Sequence, residues 1–155
     1  MTASMTVRPA RPDEAAVLSA LAQRAKASWG YPAAWLAQWK AELAFLPDYI
    51  TAERVWVADA DGRVAGVLAL EQREGGWTID RLWVDPDAQG AGVGRRLVTE
   101  AIAHASRERR GDIDVLSDPY AEPFYLKLGA VREGQVAAPM PDAPDRTLPR
   151  LVIKV

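Results

Sequence analysis

The chain has 155 residues, enough for one domain with a sizeable core, and its 49% hydrophobic and 26% charged content is ordinary for a water-soluble globular protein. It has no cysteine and one histidine, which excludes disulfides and thiolate chemistry and argues against a zinc centre. With a net charge of −2, no apolar leader and no apolar run of membrane-spanning length, the expectation is a cytoplasmic protein with no metal, no nucleic-acid partner and no membrane partner.

Met1 to Ser4 reads as a frayed start, and Met5-Thr6-Val7-Arg8 as a short strand. Pro9 and Pro12 break the chain, and Asp13 is the expected N-cap of a first helix over about Glu14 to Lys26. Val17, Leu18, Leu21 and Ala25 would form its apolar face. Trp29-Gly30-Tyr31-Pro32 is a turn, and a second helix carries Trp35, Leu36, Trp39 and Leu43 and stops before Pro47. Arg54 to Ala58 and Arg63 to Leu70 alternate as strands around the hairpin signal Asp61-Gly62. Gly75-Gly76 turns the chain into a third strand, Trp77 to Val84. A long helix then places Val93, Leu97, Val98, Ala101, Ile102 and Ala105 on one face and runs to about Arg109, with Gly111 as its expected C-cap. His104 lies within that helix among polar neighbours and is expected to be solvated. A strand over Asp112 to Leu116, a short helix over Glu122 to Leu128 closed by Gly129, and strands over Val131 to Val136 and Leu148 to Val155 complete the chain. Pro139, Pro141 and Pro144 mark the loop before the last strand.

The informative stretch is Gln89-Gly90-Ala91-Gly92-Val93-Gly94-Arg95-Arg96, between the third strand and the long helix. Glycines let backbone approach a ligand, and a helix N-terminus aims unpaired N–H groups at an anion. Arg95 and Arg96 add positive charge there, so the stretch should cradle a phosphate or pyrophosphate. A Walker A loop fails, because Arg95, Arg96 and Leu97 stand where Gly, Lys and Ser/Thr belong. A dinucleotide fingerprint fits Gly90 and Gly92 but meets Arg95 at its third glycine, although Asp112 lies about where an acidic ribose ligand would be sought. The pattern Gln/Arg-x-x-Gly-x-Gly/Ala is met by Gln89, Gly92 and Gly94, after Val84-Asp85-Pro86. On these residues the chain resembles the GNAT N-acyltransferase superfamily, in which this turn binds the pyrophosphate of acyl-CoA.

The resemblance covers nearly the whole element order. It implies an α+β (mixed α/β) fold, a single domain over 1–155, whose central, mostly antiparallel twisted sheet splays at the acyl-CoA site between flanking helices. It implies main-chain contacts from Leu82, Trp83 and Val84 to pantetheine, and cofactor contacts from Gln89, Gly90, Ala91, Gly92, Val93, Gly94 and Arg95. A second segment, Ser117 to Ala130, resembles the family's Ala-x-x-Phe-Tyr-x-x-x-Gly-Phe through Ala121, Phe124, Tyr125 and Gly129. It implies cofactor contacts from Ser117, Phe124 and Tyr125, with Tyr125 also able to protonate the leaving thiolate. The chain departs from the family at Tyr120, where Asn is common, and at Ala130, where Phe is common.

A lysine-like acceptor of pKa about 10.4, neutral in only about one molecule in a thousand near pH 7.4, needs a base or a water chain, whereas an α-amine of pKa about 7.7–8.0 needs little. Thr78 stands where some relatives carry a glutamate; Asp80, on the same strand face, and Glu71, near the end of the preceding strand, are the carboxylates that could serve. Trp29 and Tyr31 sit in a turn where acceptor-lining residues are expected, and Glu71 is grouped with them on the substrate side. The leading reading is an acyltransferase moving acetyl from acetyl-CoA to a small-molecule or peptide amine by direct attack, as a monomer or homodimer. The alternatives are a CoA-binding sensor without turnover and a dinucleotide-binding protein.

Overall fold

A computed structural model describes residues 4–155, so the frayed start expected at Met1 to Ser4 lies, apart from Ser4, outside the described residues. Seven strands, β1 (Met5–Pro9), β2 (Arg54–Ala60), β3 (Arg63–Arg73), β4 (Gly76–Val84), β5 (Ile113–Leu116), β6 (Val131–Ala137) and β7 (Thr147–Ile153), form one open sheet in the order β1-β2-β3-β4-β5-β7-β6. The helices are α1 (Ala15–Ala27), α2 (Ala33–Leu43), α3 (Pro47–Ala52), α4 (Val93–Glu108) and α5 (Glu122–Lys127). The α+β class and the mixed sheet expected from the sequence are both present. The elements fall into two units, one of Met1–Leu70 with Arg81–Ala101 and the other of Glu71–Asp80 with Ile102–Val155.

In the first unit β1 and β3 flank β2 antiparallel, with Val7 opposite Ala58 and Val57 opposite Val67. The hairpin between β2 and β3 turns on Asp61 and Gly62 at φ 53° and 90°, the paired left-handed geometry that matches the strand twist. Asp59 accepts the Gly62 N–H at 2.7 Å and closes this turn. Leu18, Leu21, Ala22 and Ala25 of α1 are buried, as are Val93, Leu97, Val98 and Ala101 of α4. Both sets follow the three-and-four spacing of an inward helix face. Gly66 of β3 is where α4 comes closest: a Cβ there would stand 2.6 Å from Val93 Cγ1 and 3.1 Å from the Trp83 carbonyl.

In the second unit, Trp77–Ile79 of β4 run parallel to Ile113–Val115 of β5, and the ladder spans those three pairs. β5 continues antiparallel onto β7, and β7 onto β6. Trp77, Ile79, Ile113, Val115, Leu151 and Ile153 form the buried centre.

Several local expectations are corrected. Asp13 does not cap α1: it lies in a 3₁₀ turn (Pro12–Glu14), where Glu14 takes the Arg11 N–H at 2.8 Å and both Arg8 guanidinium nitrogens at 3.0 and 2.9 Å. Glu14 is the residue before α1, its carboxylate is held by Arg8 and the Arg11 N–H, and no side chain caps the helix. Val17 is 51% exposed, and the inward stripe runs through Ala22 instead. Helix α2 ends at Leu43, short of Pro47, and Pro47 opens α3, as the fixed φ of proline suits a first helical position. Helix α4 ends at Glu108, and the left-handed residue that follows is Arg109, φ 53°, two positions before Gly111. His104 is not solvated: its side chain is largely buried, with its ring 5.4 Å from that of Trp77.

Candidate active site

The β4–α4 connection is built from the bottom up by Asp85. Its carboxylate accepts the Asp87 N–H at 2.9 Å and its carbonyl accepts the Ala88 N–H at 2.8 Å, which folds Pro86–Ala88 into a 3₁₀ turn. Beyond the turn, Gln89 places its side-chain amide 3.5 Å from the Val84 carbonyl. Gly90 and Gly92 then take φ of 82° and 78°. A Cβ at either would meet nothing within 4 Å, so backbone conformation, and not crowding, calls for glycine there. The Gly92 carbonyl accepts the Arg96 N–H at 3.1 Å, which makes Gly92 the entry residue of α4. The N–H groups of Val93, Gly94 and Arg95 head the helix without intrahelical acceptors, and with two left-handed glycines before them they fit a pyrophosphate. Ala91 and Arg95 are exposed at this end. Arg96, also exposed, donates to the Met5 carbonyl of β1 at 2.5 Å.

The aromatic residues of the same unit converge on Lys26. Its ammonium lies 4.2 Å from the ring centre of Trp39, 5.1 Å from Tyr31, 5.7 Å from Trp83 and 5.9 Å from Trp29. Ring faces attract a cation electrostatically, and this one is largely removed from water. Trp29 also packs 5.9 Å from Trp83, and Tyr31 stacks 5.8 Å from Trp35. Trp29 is thus brought onto Trp83, the middle residue of the expected Leu82-Trp83-Val84 backbone site, and Tyr31 shares the Lys26 ammonium with both. Leu82 and Val84 beside it are half-buried.

In the second unit, Arg73 gathers the two base candidates. Its Nη2 contacts the Glu71 carboxylate and lies 3.3 Å from Asp80 Oδ2. Glu71 is buried, whereas Asp80 is exposed. Tyr125 is buried in α5 with Phe124 edge-on at 5.1 Å. Burial first, and the Asp80 charge second, push its phenol well above the ordinary value. Ser117 is buried and engaged: its N–H donates to the Pro149 carbonyl at 3.1 Å and its hydroxyl to the Asp118 carbonyl at 2.7 Å. On the sequence alone Lys26 only closes the expected first helix, and Arg73 lies beyond the expected end of β3 at Leu70, so neither stands out as a site residue.

The sequence profile described as an acetyltransferase (GNAT) domain matches residues 18–137. The chain belongs to the GNAT acetyltransferase family. This GNAT chain is 35% identical to a blasticidin-S acetyltransferase from Streptomyces morookaense over 96 residues, 60% of the chain and 67% of that relative. Its fold matches a GCN5-related N-acetyltransferase from Rhodopseudomonas palustris with a TM-score of 0.81 at 21% identity, over 100% of this chain and 99% of the other. It also matches the PaiA N-acetyltransferase of Thermoplasma acidophilum in complex with coenzyme A, with a TM-score of 0.77 at 16% identity, over 98% and 99% of the two chains. The protein is an acyltransferase with acetyl-CoA as cosubstrate. Family membership removes the dinucleotide reading of Gly90 and Gly92. Among the described residues no group of three or more His, Cys, Asp or Glu is placed to hold a metal ion, and no helix is long and apolar enough to cross a membrane.

Proposed function

We propose that residues 1–155 act as one N-acetyltransferase domain, cytoplasmic and monomeric or homodimeric, that moves acetyl from acetyl-CoA to a primary amine of a small molecule or peptide. The observation that carries the reading is the Gly90–Gly92 turn, whose two left-handed residues open directly onto the first turn of α4. The cosubstrate supplies the acetyl thioester. Gln89 through Arg95 hold its pyrophosphate through backbone N–H groups and one guanidinium, and Leu82 to Val84 offer main-chain partners to pantetheine. Ser117 and Phe124 complete the cofactor contacts on the α5 side.

Tyr125 donates a hydrogen bond to sulfur as charge develops there. A phenol raised above its ordinary value keeps its proton, so complete transfer to a thiolate of pKa about 8.5 is uphill. Its worth is electrostatic while the carbon–sulfur bond breaks. Asp80, exposed beside Arg73, takes the proton from the incoming ammonium, and Glu71 faces the acceptor. Trp29 and Tyr31 wall the acceptor with aromatic surface, which suits a substrate with a flat or apolar portion.

The relative named for blasticidin S makes that compound the first acceptor to try. The test incubates the protein with acetyl-CoA and a panel of amines containing blasticidin S, and follows free thiol together with the mass of each amine. One acetyl gained per thiol released supports the reading. Tight CoA binding with no amine modified would return the sensor reading.

A further inference from the structure

We infer that Asp85 is a positioning residue for the pyrophosphate loop, acting through two arginines that lie outside the loop. This rests on the reading of Gln89–Arg95 as the pyrophosphate site. Asp85 is 2% exposed, which is unusual for a carboxylate and requires compensation. Three donors compensate the carboxylate, and the backbone adds a fourth tie. Asp85 Oδ1 accepts the Asp87 N–H at 2.9 Å, and Oδ2 accepts from Arg24 of α1 at 3.1 Å and from Arg63 of β3 at 3.1 Å. The Asp85 N–H donates to the Ala65 carbonyl of β3 at 2.8 Å. One residue therefore ties the start of the loop to a helix, to a hairpin strand and to its own 3₁₀ turn.

The next position of β3 fixes the far side of the same connection. Gly66 lets Val93, the first residue of α4, seat against the strand. The loop from Pro86 to Gly92 is held at its base by Asp85 and at its end by Val93. Between them stand Gly90 and Gly92, both left-handed and both uncrowded. Such a loop presents its N–H groups in one arrangement only if its ends are fixed. Removing the Asp85 charge releases Arg24 and Arg63 and leaves one end loose. The helix start and the glycines remain, so binding weakens without being lost.

The test compares CoA with pantetheine, which lacks the pyrophosphate. Calorimetry gives the dissociation constant of CoA, ligand-observed NMR that of pantetheine, and melting of the free protein monitors the fold. Asp85→Asn keeps an acceptor for the Asp87 N–H and should raise the CoA constant roughly tenfold, the scale of one lost charge-assisted hydrogen bond. The pantetheine constant should stay within about twofold. The double variant Arg24→Gln with Arg63→Gln removes the same ties from exposed residues, and should reproduce the CoA effect even where Asp85→Asn folds poorly. An unchanged CoA constant in the double variant overturns the inference, as does a loss shared equally by CoA and pantetheine. A wild-type protein that binds pantetheine as tightly as CoA would overturn the loop reading itself, and this inference with it.

Discussion

In the proposed mechanism Tyr125 carries a narrower burden than a general acid in water would. Burial and the Asp80 charge both hold its proton in place, so the residue stays neutral through the pH at which an ordinary phenol ionises. Tyr125→Phe removes only the hydroxyl and keeps the ring against Phe124. The expected outcome is a fall in kcat of about a hundredfold, the lower end for a positioned acid, with the CoA dissociation constant unchanged. In the wild type, a rate profile against pH should show no falling limb from Tyr125 near pH 10. A limb there that disappears in the Phe variant would mean the phenol titrates normally. The residue types were legible in the sequence because the Phe124-Tyr125 pair sits in a spaced motif. The buried Lys26 was not, since a lysine at a helix end is ordinarily a solvated cation, and only the folded chain places four rings around it.

At the scale of elements, the junction of β3, β4 and α4 is the least tolerant place. Gly66→Ala would put a methyl 2.6 Å from Val93 Cγ1 and 3.1 Å from the Trp83 carbonyl, so helix or strand must shift. Overpacking of this kind costs about 1–3 kcal/mol. In a chain of this size each 1 kcal/mol lowers the melting temperature by about 2–4 °C, which differential scanning calorimetry resolves. An Ala variant that melts with the wild type would show that the junction has slack. The order of strands and the long helix were readable because hydrophobic alternation and glycine turns both mark them. Helix α3 was not, because six residues hold too little periodicity to register. The N-terminal cap was misplaced for a related reason: Asp13 is locally the better cap, but Glu14 is joined to Arg8, six residues earlier in sequence on β1.

For the whole molecule, acid stability follows from two buried carboxyls. The Arg8 guanidinium holds Glu14 below its ordinary value despite burial. Burial alone would raise Asp85, but the Asp87 N–H and the Arg24 and Arg63 guanidiniums outweigh it and lower the carboxyl. Depressed folded values mean that the unfolded chain binds protons more readily, so stability falls as pH falls. The contribution is complete above the ordinary carboxyl range of about 4 and is lost as pH drops below it. Urea midpoints should be flat from about pH 6 to 8 and decline below about pH 4. A smaller acid decline is expected in Asp85→Asn, and an identical decline would deny Asp85 its share.

The account stands or falls on whether the glycine turn before α4 receives the pyrophosphate of CoA. Gly92→Asp places a carboxylate where that anion belongs; nothing crowds the site, and the left-handed φ of 78° adds a backbone strain that melting of the free variant reads separately. Thermal shifts should be recorded for wild type and variant with CoA and with NAD at equal concentration. At 100 times its dissociation constant CoA should stabilise the wild type by about 2.7 kcal/mol, or roughly 5–10 °C, while NAD does much less. The variant, folded but for a small drop in melting temperature, should show no CoA shift. Equal CoA shifts in wild type and variant, or a larger shift with NAD than with CoA, would contradict the assignment of this loop.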